Sequence, residues 1–308
     1  MSPAQPKDEV IDQASALGTD RVHFSHILVG IDFSDHAVRA LTTATSLAEM
    51  FGANLTMVHA VSPTDFDVNG RQASNEVVAA GRDTDEDELK QLVESMPGLK
   101  ELKPQIVVEY GDPAHLLNRV SRDENIDLIV LGSHGASGLE RLALGSVAEA
   151  TLRRATCPVL VIGPETQVEQ HLFRTILFAT DLKTTGATGA RYAASLAEQF
   201  HGELTVLHVQ NRKFLSSGLL YKLFQDRVRR RLKQLLPENV DQLCKNKVRY
   251  ELGNPSVVIT DVAQAESTSL LIVGARNHTL SDHAPWSALS HIIHDAKCPV
   301  LGIRDGSI

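Results

Sequence analysis

The sequence predicts an α/β protein built of two repeated, doubly wound, five-stranded parallel-sheet domains. Three observations predict it. The chain repeats itself, each repeat holds short apolar runs without polar alternation, and longer amphipathic segments separate those runs.

The repeat comes first because it divides the chain. His26-Ile-Leu-Val-Gly-Ile-Asp32 returns as Thr175-Ile-Leu-Phe-Ala-Thr-Asp181, and Leu55-Thr-Met-Val-His59 returns as Leu204-Thr-Val-Leu-His208, both 149 residues on. Leu128-Ile-Val-Leu-Gly132 returns as Leu270-Leu-Ile-Val-Gly274 at an offset of 142, and Cys157-Pro-Val-Leu160 as Cys298-Pro-Val-Leu301 at 141. An ordered series whose offset shrinks in small steps is what loop deletions leave behind. The expected organisation is a polar tail over 1–22, a first domain over 23–163, a link over 164–171 and a second domain over 172–308. The stretches Met1–Arg21 and Ser62–Arg82 are polar enough to be mobile.

Within the first copy, strands are expected at Ile27–Ile31, Leu55–Val61, Gln105–Tyr110, Leu128–Leu131 and Val159–Ile162. Unbroken Val, Ile and Leu runs suit strands covered on both faces, as in a parallel sheet. Ala37, Ala40, Leu41, Ala44, Leu47, Ala48 and Phe51 share one helical stripe that Gly52 ends. Thr84–Met96 reads as an acidic amphipathic helix, Pro113 opens a third, and Ser146–Ala155 is the fourth. Right-handed crossovers wind such a β-α-β series on both faces of the sheet.

Bulk composition removes several function classes. A formal net charge of -8 argues against nucleic acid and against an anionic membrane surface as main partners. No apolar run approaches the ~20 residues of a membrane span, and the N-terminus does not read as a signal peptide. Three cysteines, Cys157, Cys244 and Cys298, lack disulfide-framework and metal-ligand spacing, so a cytoplasmic setting is expected.

In open α/β sheets ligands bind outside the carboxyl ends of the strands, where strand order reverses. For the order 3-2-1-4-5 that crevice lies between the first and fourth strands. Asp32 ends the first, and Gly132-Ser-His-Gly135 ends the fourth. After nine intervening residues Gly145-Ser146 opens a helix. Glycines permit close backbone approach, and a helix start favours anions, so the pair suits a polyphosphate. Ordinary strand-to-helix turns also contain glycine, and Ser146-Val-Ala-Glu149 has the form of a capping box.

Glycine, two residues, glycine, nine residues, Gly-Ser is similar to the nucleotide-binding pattern of the universal stress protein family. A first strand ending Val29-Gly30-Ile31-Asp32, a second ending Val58-His59-Ala60 and a terminal Cys157-Pro-Val-Leu-Val-Ile162 extend the resemblance. It covers nearly all of His23 to Arg304 as two repeats. The resemblance implies a Rossmann-like fold that binds ATP or a related adenine nucleotide, with Mg²⁺ as an accompanying ion. By position, it implies that Asp32 reaches the nucleotide beside Gly30 and that backbone at Ala60 meets adenine. Gly132, Gly135, Gly145 and Ser146 would hold ribose and phosphates, with Ser133, His134 and Val147 as neighbours. His134 invites a catalytic role, against the plainer reading of a solvent-facing loop histidine. Asp32 is the candidate to help hold Mg²⁺ through phosphate, and its plainer role is at the adjoining helix start.

The second copy has lost the pattern. Gly274-Ala-Arg-Asn277 replaces the glycine pair, and Ala284-Pro-Trp-Ser-Ala288 stands where Gly145-Ser146 would fall. Weak or absent ATP binding is expected there. His278, His283, His291 and His294 gather nearby without a carboxylate or cysteine partner, which fits surface histidines better than a metal site. Arg227-Val-Arg-Arg-Arg231 with Lys233 suits an acidic partner or a solvated helix face.

Three functions are consistent with these residues: a nucleotide-dependent sensor or interaction module, a slow ATPase or phosphotransferase, and a nucleotide-independent scaffold or chaperone-like protein. No Walker lysine is present, which disfavours the second. The last strands, Val159–Ile162 and Val300–Ile303, are expected to cross-pair the two domains into a pseudo-dimer, with further homodimerisation and an unidentified protein partner.

Overall fold

The computed structural model describes residues 21–61, 75–135, 144–167, 171–182, 186–211, 219–274 and 284–304. In the first copy β1 (His26–Ile31) leads to α1 (Asp35–Phe51), β2 (Asn54–Val61), α2 (Asn75–Ser95) and α3 (Pro97–Leu102). Then follow β3 (Gln105–Tyr110), α4 (Pro113–Asp123), β4 (Leu128–Gly132), α5 (Ser146–Arg154) and β5 (Val159–Ile162). Each boundary has a local cause. Ser34 caps α1 by accepting from Ala37 N, and Gly52 ends that helix at φ 65°. Asp112 caps α4 through His115 N, with Pro113 in the first turn.

Two helices differ from expectation. α2 begins at Asn75 rather than Thr84, so residues 75–82 are helical, whereas 62–74 lie outside the described residues. It stops at Ser95 because Met96 precedes Pro97, and a residue before proline is pushed out of the α region; Met96 sits at φ −114°, ψ 104°. Pro97 then starts α3, an element that the sequence analysis does not predict.

The second copy repeats the order as β6 (Thr175–Ala179), α6 (Gly186–Gln199), β7 (Glu203–Gln210), α7 (Leu219–Gln234), α8 (Val240–Leu243) and β8 (Lys245–Leu252). It closes with α9 (Pro255–Ala265), β9 (Leu270–Gly274), α10 (Ala284–Asp295) and β10 (Val300–Ile303). The symmetry extends to side chains. Glu124, after α4, accepts from Thr56 Oγ1 at 3.1 Å; its counterpart Glu266 accepts from Thr205 Oγ1 at 2.6 Å. His59 Nδ1 meets the Ile31 carbonyl at 2.8 Å, and His208 Nδ1 meets that of Thr180 at 2.8 Å.

All ten strands form one sheet in the order β3-β2-β1-β4-β5-β10-β9-β6-β7-β8. Among the described residues pairing is parallel within each copy and antiparallel only at the seam, where Leu160 faces Leu301. The expected order and cross-pairing are both present. One apolar cluster, containing α1, α2, α6 and α7 residues, fills one face across both copies, and a second cluster under α4, α5, α9 and α10 fills the other. On the first face Phe51 meets Phe24, Phe173 and Phe200 edge-on, so the two halves share a core.

The segments flanking the first domain are tied to the second. Val22 N donates to Ser195 Oγ at 2.7 Å and its carbonyl accepts from Gln199 Nε2 at 2.8 Å. In the link, Gln167 N bonds Lys297 O at 2.9 Å. Among the described residues no helix is long and apolar enough to cross a membrane.

Candidate functional site

A cleft of about 260 Å³ opens at the carboxyl ends of β1 and β4. All ten sequence-predicted residues line it: Gly30, Asp32, Ala60, Gly132, Ser133, His134, Gly135, Gly145, Ser146 and Val147. Its volume is close to the ~300 Å³ at which small-molecule clefts begin.

Asp32 follows β1 directly. Its Oδ1 accepts from Ser34 N at 3.1 Å and from Ser34 Oγ at 2.6 Å, so the carboxylate supports the helix start while being fixed in direction. Phe33 between them adopts φ 61°, as Leu182 does in the second copy, which turns the chain sharply off the strand. Oδ2 points across to Gly135: a Cβ on that glycine would lie 2.6 Å from it. The loop therefore comes as close to the carboxylate as a residue without a side chain allows.

The other glycines divide by role. A Cβ on Gly132 would lie 2.8 Å from the His36 carbonyl carbon, so this glycine lets α1 pack against β4. A Cβ on Gly145 would sit 2.8 Å from Ser133 O, the atom that accepts from Gly145 N at 2.7 Å. That bond closes the loop between β4 and α5. Ser133 is wholly buried, with its own N–H on Ile162 O at 3.0 Å, so it braces the loop from below.

Gly145, not Ser146, is the N-cap of α5, and a glycine brings no side chain to cap the helix. The capping box expected of Ser146 and Glu149 is therefore not formed. Ser146 occupies the first helical position, one residue too late to cap, and Glu149 turns outward to Arg153 Nε at 2.9 Å. This leaves the first N–H groups of α5 without intrahelical partners beside the cleft, the arrangement that attracts anions.

His134 is half-buried rather than fully solvent-facing. Its Nδ1 lies 2.9 Å from Ser133 Oγ, its ring centroid 5.6 Å from that of His36, and its Nε2 is buried with no hydrogen-bond partner among the described residues. His36 in turn accepts at Nδ1 from Arg39 Nη2 at 2.8 Å. Burial, then the Arg39 charge and His134, hold the His36 imidazole below its ordinary pKa, against the opposing pull of Asp32 and Asp35.

One wall was missed from sequence: Val58, Pro113, Leu117 and Leu131 make an apolar side to the cleft. Val58 was within reach, because it lies two residues before Ala60 and so on the same face of β2.

These residues fit an adenine nucleotide by chemistry. Small backbone positions and a helix start suit phosphates, a fixed carboxylate suits ribose hydroxyls or a phosphate-bound cation, and an apolar wall suits a base. In the second copy the loop 275–283, with His278 and His283, lies outside the described residues. α10 begins at Ala284, about three residues earlier than α5 does by the repeat offset, with Pro285 in its first turn where an N–H donor is lost. His294 pairs with Asp295 at 2.7 Å.

The sequence profile of the Universal stress protein family matches residues 23–163 and again residues 172–304. The chain belongs to the universal stress protein family. Universal stress protein YxiE of Bacillus subtilis is 30% identical over 151 residues, covering 45% of this chain and 99% of its own length. Universal stress protein A homolog 1 of Coxiella burnetii is 31% identical over 141 residues, covering 46% and 97%. Such relatives correspond to one repeat. The crystal structure of a universal stress protein from Archaeoglobus fulgidus aligns over 92% of this chain and 97% of its own, with TM-score 0.68 and 19% identity. At that identity the likeness establishes the fold.

Proposed function

We propose that this universal stress protein binds ATP, or a related adenine nucleotide, in the cleft of its first copy and works as a nucleotide-dependent regulatory module in the cytoplasm. The observation that carries the reading is the convergence on one cleft of the fixed Asp32 carboxylate, the Gly132–Gly135 turn and the uncapped start of α5. The phosphates would lie against Gly145, Ser146 and Val147. Asp32 would face the ribose or a phosphate-bound Mg²⁺, and the base would rest between Ala60 and the Val58–Leu117 wall. His134 Nε2 and the N–H groups of α5 would gain partners when an anion enters. The second copy, with an earlier helix start and a proline in that first turn, would bind weakly or not at all.

Calorimetric titration of the full chain with Mg-ATP, alongside a phosphate-release assay, tests the reading. One site per chain is expected. Gly135→Asn, which places the second copy's residue beside Asp32, is expected to weaken it at least tenfold without unfolding the protein. Absence of binding to folded wild type would leave the scaffold reading standing. Binding with steady phosphate release would make the module a slow ATPase.

A further inference from the structure

The two copies share a fold but not a charge. Residues 23–163 carry 11 Lys and Arg against 20 Asp and Glu, whereas 172–308 carry 17 against 12. The asymmetry peaks on one equivalent pair of helices. α2 holds seven acidic residues and two basic, and α7 six basic and one acidic, giving net charges of −5 and +5. Opposite signs at one structural position are not a consequence of the fold, because both helices bury a similar apolar stripe through Leu89 in one and Val228 and Leu232 in the other.

Their placement turns this into a geometric statement. α2 packs over β2 and β3, and α7 over β7 and β8, so they lie at opposite ends of the ten-stranded sheet. Both contribute to the same apolar cluster and therefore lie on the same face. Among the described residues β3 pairs with β2 alone and β8 with β7 alone, so both ends are open strand edges. Because the seam is antiparallel, β3 and β8 run in opposite directions. Stepping one molecule along the sheet brings its β8 edge antiparallel to the next molecule's β3 edge. The same step lays basic α7 beside acidic α2. The strand edges themselves are charge-paired within the chain, Glu109 of β3 with Arg119, and Lys245, Lys247 and Arg249 of β8 with Glu203, Glu266 and Glu251, so the opposite signs reside on the two helices. Arg227, Arg229, Arg230, Arg231 and Lys233 are exposed, as are Asp83, Asp87 and Glu88. Leu223, 57% exposed on α7, adds an apolar point to the same surface.

We infer that the chain associates head to tail with further copies of itself, the α7–β8 end of one seated against the α2–β3 end of the next. Such a contact is heterologous: it does not close as a dimer and grows into short chains or a ring. Its drive is electrostatic and accordingly salt-sensitive.

Sedimentation velocity of the full chain over a concentration series tests this at about 0.01 M and about 1 M salt, where screening lengths are roughly 30 Å and 3 Å. Wild type should form larger species with rising concentration at low salt and lose them at high salt. Reversing α7 (Arg229→Glu, Arg230→Glu, Lys233→Glu) or reversing α2 (Asp83→Lys, Asp87→Lys, Glu88→Lys) should each abolish them. Combining both reversals leaves net charges of −1 on α7 and +1 on α2 and should restore association in part. Mixing the two variants in equal amounts should give mixed pairs through the unaltered α7 of one and α2 of the other. All six positions are exposed, and circular dichroism checks that each variant folds. Wild type that stays a single species at low salt overturns the inference. So does association that ignores salt or survives either reversal, and so does a combined variant that associates no better than the single reversals.

Discussion

Asp32 presents two oxygens to two different surroundings. One oxygen holds the N–H and hydroxyl of Ser34 at the start of α1, and the other faces the glycine turn. The helix-start role is present on one oxygen, and the other is the one that our proposal turns toward a ligand. His36, behind the turn, adds a pH dependence. Arg39 donates to its Nδ1, so the neutral ring is the one that fits, and protonation would place a second positive charge beside the guanidinium. With burial as the first cause, the folded pKa lies below the ordinary 6.5. The sign follows: below 6.5 the unfolded chain binds a proton more readily than the folded one. This contribution to stability is therefore complete above 6.5 and lost as pH falls through the folded pKa. Urea midpoints should drop as pH is lowered below neutrality, and His36→Gln should flatten part of that slope. An NMR titration placing the His36 ring above 6.5 would contradict this account. Cys157 has no comparable chemistry: burial pushes its thiol up to about 11, so it packs as a small apolar residue.

At the scale of elements, the repeated carboxylate struts explain how the long β2–β3 and β7–β8 pairs are held to the helices behind them. Glu266 accepts from Thr205, from Arg249 Nη1 at 2.6 Å and from Lys247 Nζ at 3.0 Å, joining β7, β8 and the end of α9. Burial alone would raise its pKa, but these three donors outweigh it and hold the carboxylate below its ordinary value. A depressed carboxylate stabilises the fold above the unfolded pKa and stops doing so as pH falls through the folded one. Glu266→Gln should cost about 1.5–3 kcal/mol at neutral pH, the worth of hydrogen bonds to a charged group. In acid the two proteins should converge. A urea series at neutral and acidic pH checks this; a gap that stays constant would mean that charge is not the cause. The strands were legible in the sequence because buried parallel strands read as unbroken apolar runs. The start of α2 was not, since Gly81 interrupts its stripe, nor was α3, since Pro97-Gly98 carries the same residues as a turn. At the site the glycines and Asp32 were legible from spacing. Leu117 and Pro113 were not, because their residue types are equally those of a helix core.

For the whole molecule, the seam decides whether two domains behave as one. The antiparallel β5–β10 pairing is short, but the aromatic cluster on one face extends the contact well beyond the strands. Phe51 of α1 is 8% exposed and touches the rings of Phe173 and Phe200, which stack on each other at 4.5 Å. A shared core means that unfolding one half exposes apolar surface of the other, so the halves should melt together. The chain has one tryptophan, Trp286, and it lies in the second copy, far in sequence from Phe51. Phe51→Ala should remove about 3 kcal/mol or more, the usual cost of truncating a buried phenylalanine. If the core is shared, the Trp286 fluorescence transition must move to lower urea with the far-ultraviolet dichroism transition, and the two must stay superimposed. Independent halves would instead leave the tryptophan transition where it was and split the dichroism curve in two. Superposition would also mean that ordering the first-copy cleft around a nucleotide stabilises the second copy, although that copy has lost the glycine motif. Binding energy spent at Asp32 and α5 would then be felt across the seam.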